Sequence, residues 1–181
     1  MDWIKLAREI GFEDACMLNM EALKPMKEVR EMCSANRCRA YGKSWACPPG
    51  CGSIEQCESR IKGYDSGVLV QTTGILDDVF DGEGMEKAMQ LHRRRFEELA
   101  RQARSLVGDC LPLSAGTCTR CEVCTYPDSP CRFPDEALSS MEAFGLLVSQ
   151  VCSDSGMTYY KGEKTITYTS CLLFKIKEKS T

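Results

Sequence analysis

Two rhythms alternate along the chain: apolar residues repeated every three or four positions, and short runs that are apolar throughout or rich in β-branched residues. Trp3, Ile4, Leu6, Ala7 and Ile10 keep the helical step and Gly11 stands where a helix would stop, which predicts a helix over 2–10. The mostly apolar run 14–20 predicts a buried strand, with Cys16 as a small core hydrophobe. A short helix over 24–31 then leads directly into a cysteine-rich segment. Residues 67–73, rich in valine and threonine and closed by Gly74, form the clearest strand. The acidic stretch 77–84 lacks the oxygen pattern and closing glutamate of a calcium loop and reads as solvated.

The longest helix is predicted over 85–107, where Met85, Met89, His92, Phe96, Leu99, Ala103 and Leu106 make one stripe with Gly108 beyond it. His92, the single histidine, reads as a partly buried, hydrogen-bonded core residue; a cluster neighbour or proton donor is the functional alternative. Arg93, Arg94 and Arg95 point in different directions around that helix and read as solvated surface. A strand over 110–115 follows, with Cys110 structural. Ser139 to Glu142 has the form of a capping box, predicting a helix through Phe144, Leu147, Val148 and Val151 that Gly156 ends, with Cys152 in the core. Residues 157–160 and 165–176 read as a hairpin around 161–164, and 177–181 as a polar tail. This succession predicts an α/β fold: a single domain over 1–181, a mixed β-sheet flanked by helices, with two cysteine-rich cluster-binding loops at one edge.

Composition narrows the function. The 43% hydrophobic and 27% charged fractions are those of a soluble globular protein. No stretch has the apolar length to cross a membrane, and the charged, amphipathic N-terminus is unlike a signal peptide, so a cytoplasmic protein is expected. A net charge of -3 argues against nucleic-acid binding, which needs a basic face. The 13 cysteines are the anomaly, and in a reducing compartment dense, odd-numbered cysteine means metal or redox chemistry before disulfides.

Nine of those cysteines fall in two blocks. The second, Cys118-x2-Cys121-x2-Cys124-x6-Cys131, shares its first three positions with the bacterial [4Fe-4S] run, while its last spacer is longer. Two intervening residues let consecutive thiolates curl inward from one turn with their amides aimed at the sulfurs. A zinc site more often shows two separated C-x2-C pairs, so iron-sulfur is preferred and zinc is the alternative. The first block runs from Cys33 through Cys38, Cys47 and Cys51 to Cys57, with Pro48, Pro49 and Gly50 forcing a stiff turn. Its spacing matches no common zinc finger or ferredoxin run. Cys33, Cys38 and Cys47 come from irregular chain able to fold around a point, and the fourth ligand is Cys57 or Cys51.

These residues resemble a prokaryotic family described only as predicted metal-binding proteins of unknown function. The likeness rests on Cys33-x4-Cys38, the run Tyr41 to Pro49, Cys57, the run Cys118 to Pro134, and the ending Thr165-Ile-Thr-Tyr168. In proteins of that kind the cysteine matching Cys57 is present while the position of Cys51 varies, so the resemblance implies Cys33, Cys38, Cys47 and Cys57 as the first ligand set and leaves Cys51 as a spare thiol or substitute. It implies metal or iron-sulfur binding and no reaction. With Cys118, Cys121, Cys124 and Cys131 as the second set, the expectation is two [4Fe-4S] clusters serving electron transfer with an oxidoreductase partner. Full thiolate ligation leaves no open iron, which places electron transfer ahead of catalysis. The six-residue spacer also permits Cys57 and Cys131 to be exchanged between the sites.

Overall fold

The computed structural model describes residues 1–176; the polar tail expected over 177–181 lies outside them. Helix α1 (Trp3–Ile10) is capped by Asp2, whose carboxylate accepts from the Lys5 N–H, and ends on Gly11 at φ 110, as its glycine foretold. Strand β1 is Asp14–Met17. Helix α2 (Lys27–Ser34) begins beyond Pro25, three residues later than expected, and carries Cys33 in its last turn. Helix α3 (Ile54–Ile61) opens on a reciprocal capping box between Ser53 and Gln56 and holds Cys57 on its buried side. Strand β2 (Ser66–Ile75), helix α4 (Gly82–Val107), strand β3 (Cys110–Ser114) and the two-residue strand β4 (Ser139–Ser140) follow. Helix α5 (Val148–Asp154) and strand β5 (Thr165–Phe174) complete the order.

The sheet order is β1-β2-β5-β3-β4, antiparallel except for the parallel β3/β4 pair. Alternation along the strands builds two cores. Val68 and Val70 of β2 and Leu172 and Phe174 of β5 face α1 and α4, packing on Trp3, Ala7, Phe96, Leu99 and Ala103. Leu69, Cys171 and Leu173 point the other way, onto Cys57, Ile61, Met141, Phe144, Val151 and Cys152. The expected mixed sheet flanked by helices is present. Among the described residues no helix is long and apolar enough to cross a membrane.

Several expectations change. The C-terminal hairpin is absent: β5 pairs with β2 on one side and β3 on the other, while Tyr159 and Tyr160 lie exposed outside the sheet. The run from Cys171 to Phe174 is fully buried, which suits a central strand with two neighbours, not one arm of a hairpin. The single helix expected after Ser139 is broken up. Ser139 and Ser140 pair beside β3 as a strand, a 3-10 turn covers Glu142–Phe144, and Gly145 at φ 79 ends it before α5 starts. A Cβ on Gly145 would press on the Met26 backbone at 3.0–3.1 Å, so this break is also where α2 comes close. Strand β1 is a half-buried edge, not a buried strand, and Cys16 only packs against the core from outside. The acidic loop gives its last residues to α4, with Asp81 as N-cap accepting from the Gly84 N–H.

Helix α4 lies as its stripe predicts, with Ala88 and Ala100 buried too and Leu106 left exposed. His92 is wholly buried, and its Nε2 sits 2.7 Å from the Ser170 hydroxyl. Burial, followed by the charges of Arg95 and Arg93, pushes its pKa down to about 3. It is a neutral core residue. Arg95 departs from the solvated surface expected of it, pairing with Glu13 at 2.9 Å and bonding the Thr72 hydroxyl at 3.2 Å.

Candidate metal centre

The first cysteine block runs from the last turn of α2 through turn-rich chain into α3, and the second lies in turn-rich chain between β3 and β4. In the first, Asn36 and Arg39 adopt left-handed backbone at φ 52 and 61 on either side of Cys38. Strain of this kind in non-glycine residues persists only where surrounding structure demands it, and it gathers at functional sites. Asn36 secures its own turn by accepting the Tyr41 N–H through its side chain at 3.1 Å. The Cys51 N–H returns to the Cys47 carbonyl at 3.0 Å, closing the proline turn between them.

The two loops interlock. The Trp45 indole N–H donates to the Ser129 carbonyl at 3.0 Å, and the Trp45 ring meets Tyr126 edge-on at 4.9 Å. Gly50 lies at the contact: a Cβ there would strike the Ser44 carbonyl oxygen and reach within 3.0 Å of the Tyr126 ring. Inside the second loop, Thr125 donates to the Pro130 carbonyl at 2.8 Å and Arg132 to the Val123 carbonyl at 2.9 Å. Arg120 pairs with Glu136 at 2.7 Å and lies over the Phe133 ring.

Sulfur electrostatics divide the ligand candidates into neighbourhoods. Burial pushes the Cys47 thiol up to about 11, with Cys38, Cys33 and Cys118 adding to it and the Ser44 hydroxyl opposing. Burial also raises Cys33, with Glu142 and Cys38 adding to it, and the Cys33 sulfur sits 3.9 Å from the Glu142 carbonyl. Cys38 is exposed. For Cys124, burial works against the charged form. The N–H groups of Tyr126 and Trp45, the Ser44 hydroxyl and the Thr125 N–H outweigh it and hold the thiol below its ordinary value. Two of those donors come from the first loop to a sulfur of the second. Cys118, Cys121 and Cys131 are half-buried, and Cys131 lines a cleft of about 600 Å3 between the loops, together with Cys51, Trp45, Arg60 and Asp128.

Cys57 occupies a different setting. It is fully buried, and one guanidinium spans it and Cys51: Arg30 Nη1 lies 3.5 Å from the Cys57 sulfur and Nη2 3.5 Å from the Cys51 sulfur. The same Nη2 also donates to the Gly52 carbonyl. The Cys51 thiol donates to the Ala143 carbonyl at 3.6 Å; its neighbourhood with Cys57 drives the Cys57 thiol down, with Arg30 adding to this, and drives the Cys51 thiol up, where burial adds and Arg30 opposes. Arg30, Ser44 and Trp45 were missing from the sequence reading. For Ser44 and Trp45 the signal was available in the run leading to Cys47; for Arg30, one turn before Cys33 on α2, no local pattern marks its reach to residues 51 and 57.

All 13 cysteines are free thiols. Cys152 and Cys171 are buried in the core, and burial foremost raises Cys171. Cys16 and Cys110 pack at core margins. Among the described residues no three Cys, His, Asp or Glu side chains converge as a closed metal cage. The donor chemistry nonetheless fits a thiolate-bound metal or cluster: soft sulfur ligands on adjoining loops, with N–H and guanidinium donors aimed at the sulfurs that would carry negative charge.

Residues 16–174 match the profile of a family described as predicted metal-binding protein (DUF2284). No curated protein and no solved structure matches the chain.

Proposed function

The chain belongs to the DUF2284 family of predicted metal-binding proteins, and from that premise we propose that it is a cytoplasmic iron-sulfur protein of two [4Fe-4S] clusters, exchanging electrons with an oxidoreductase partner. Cys33, Cys38, Cys47 and Cys57 form one ligand set, and Cys118, Cys121, Cys124 and Cys131 the other. When bound, a cluster of this kind supplies one-electron transfer with little rearrangement of its surroundings.

The observation that carries the reading is the meeting of the two cysteine loops, where the Trp45 indole N–H donates to the Ser129 carbonyl at 3.0 Å and Gly50 closes on the Tyr126 ring. At Cys124, three backbone N–H groups and the Ser44 hydroxyl address one sulfur, and two of the four donors come from the opposite loop. Amide donors of this kind stabilise thiolate charge and tune a cluster's potential. Cys47 links the two blocks electrostatically, since Cys38 and Cys33 of its own block and Cys118 of the other all act on its thiol. Proximity of that sort suits electron passage between sites. The Gly50 contact and the Trp45–Ser129 bond hold the loops in this relation. Four thiolates per set leave no iron open to a substrate, which favours electron transfer over catalysis.

Iron and acid-labile sulfide analysis of anaerobically purified protein tests the proposal. About eight irons and about eight sulfides per chain are expected for two [4Fe-4S] clusters. A colourless protein that holds zinc and contains no sulfide would overturn it in favour of a zinc module.

A further inference from the structure

Of the eight cysteines in the two ligand sets, Cys38 alone is exposed. It lines an open cleft of about 480 Å3 at the end of α2. The floor of that cleft is apolar, with Val29, Leu146 and Val148 buried beneath it. Two larger side chains stay open to solvent at its edge, Met32 at 71% and Tyr159 at 48% exposure. Apolar side chains left open together in one place mark an interaction surface. The charges around them have one sign. Glu142 is the single carboxylate lining the cleft, and Arg37 lines it as well. Arg39 and Lys43 are exposed on the chain just beyond Cys38. Between Glu31 and Glu55 the chain carries these three cations and no carboxylate, in a molecule of net charge -3. None of the three forms an ion pair among the described residues.

We propose that this face, with Met32 and Tyr159 at its centre and Arg37, Arg39 and Lys43 around them, is the docking surface for an acidic one-electron carrier protein. Its purpose rests on the proposed function, because the exposed Cys38 brings the first ligand set to the molecular surface at this place. Charge selects the kind of partner. Carboxylates on an incoming surface meet three cations here, whereas a basic partner is repelled from this face and drawn to the acidic remainder of the molecule. The apolar centre supplies the anchor, losing water on contact, and the charged rim sets orientation and encounter rate. An open, shallow face suits a complex that forms and parts quickly, as redox encounters do. The transfer is of one electron: the partner's acceptor gains one as the first site loses one, or the reverse, and no bond forms or breaks.

Titration calorimetry with two carriers of opposite charge, acidic flavodoxin and basic cytochrome c, tests the proposal without requiring turnover. Flavodoxin is expected to bind, and to weaken about tenfold between about 20 and 200 mM salt. Arg37→Glu combined with Lys43→Glu should lower its affinity about tenfold at low salt. Arg8→Glu combined with Arg94→Glu makes the same change in net charge on α1 and α4, across the sheet, and should leave the affinity within about twofold. Met32→Ser should weaken binding at both salt concentrations. All five side chains are exposed, so these variants keep the fold. Cytochrome c should bind the Arg37→Glu, Lys43→Glu protein at least as tightly as wild type. Absence of flavodoxin binding, or equal losses from the two double variants, overturns the proposal. So does self-association that the Arg37→Glu, Lys43→Glu change abolishes, since a second copy would then be the occupant. Iron and sulfide analysis of the same preparation keeps the two ideas apart. Salt-dependent docking at this face by protein without iron upholds the surface and removes the cluster reading, while iron-loaded protein without such docking removes the surface alone.

Discussion

The two faces of the sheet each bury an ionisable group, and they treat it in opposite ways. On the α4 face His92 receives one neutral hydroxyl, and two nearby arginines make its protonation still harder, so it stays uncharged. On the other face the buried Cys57 receives a guanidinium and the neighbouring Cys51 thiol, both of which favour its charged form. Burial alone disfavours charge in both places, so the difference lies in which partners are supplied. The α4 face is a core that neutralises what it buries. At Cys57 the cysteine face supplies partners that favour negative sulfur, as a thiolate metal centre would require.

The largest effect should come from removing ligands on the second face. Cys118→Ser combined with Cys121→Ser is expected to lower iron from about eight to about four per chain, with the fold intact by circular dichroism. Retention of full iron would dissolve the division into two sets. Next, Phe96→Ala on the α4 face should cost about 3–5 kcal/mol in urea unfolding, as expected for emptying a fully buried aromatic site. Metal content per folded molecule should not change; a fall would mean that the two faces are coupled.

Gly50→Ala sharpens the comparison from the other side. The added methyl meets the Ser44 carbonyl and the Tyr126 ring, so a loss of about 1–3 kcal/mol is expected. Metal content should fall with it, because the same contact sets the spacing of the loops.

The smallest effect is the pH response of His92. Its folded pKa of about 3 lies below the unfolded value, so the unfolded chain binds the extra proton first on acidification. Stability is therefore complete above about pH 6.5 and declines by roughly 1.4 kcal/mol per pH unit as the pH falls toward 3. Urea titrations between pH 6.5 and 5, where few carboxylates titrate, should show this slope in wild type and a flatter one in His92→Gln.

Features legible in the sequence were those coded by neighbours along the chain. Helix α4 announces itself through His92, Phe96, Leu99 and Ala103 at helical steps, β2 through its valines, and the second cysteine block through its own spacing. What escaped was set by distant partners. Strand β5 lies between β2 and β3, both far from it in sequence, so the nearer run 157–160 was mistaken for its mate. Ser139 and Ser140 form a strand because β3 is beside them, and Gly145 breaks the helix where Met26 needs its space. At the candidate site the cysteines were visible and their environment was not. Arg30 meets its sulfurs 21 and 27 residues away, and Trp45 meets Ser129 across 84. The meeting of the two loops exists only after the sheet has formed and brought its second face together.

The central claim is that these interlocked loops hold two iron-sulfur clusters in close company. Electron paramagnetic resonance of the anaerobic, dithionite-reduced protein tests it most directly. The account predicts a spectrum broadened and split by magnetic coupling between two reduced clusters, collapsing to a simple single-cluster signal in the Cys118→Ser, Cys121→Ser protein. A single uncoupled signal in the wild type, or none at all from a protein that carries zinc, would contradict it.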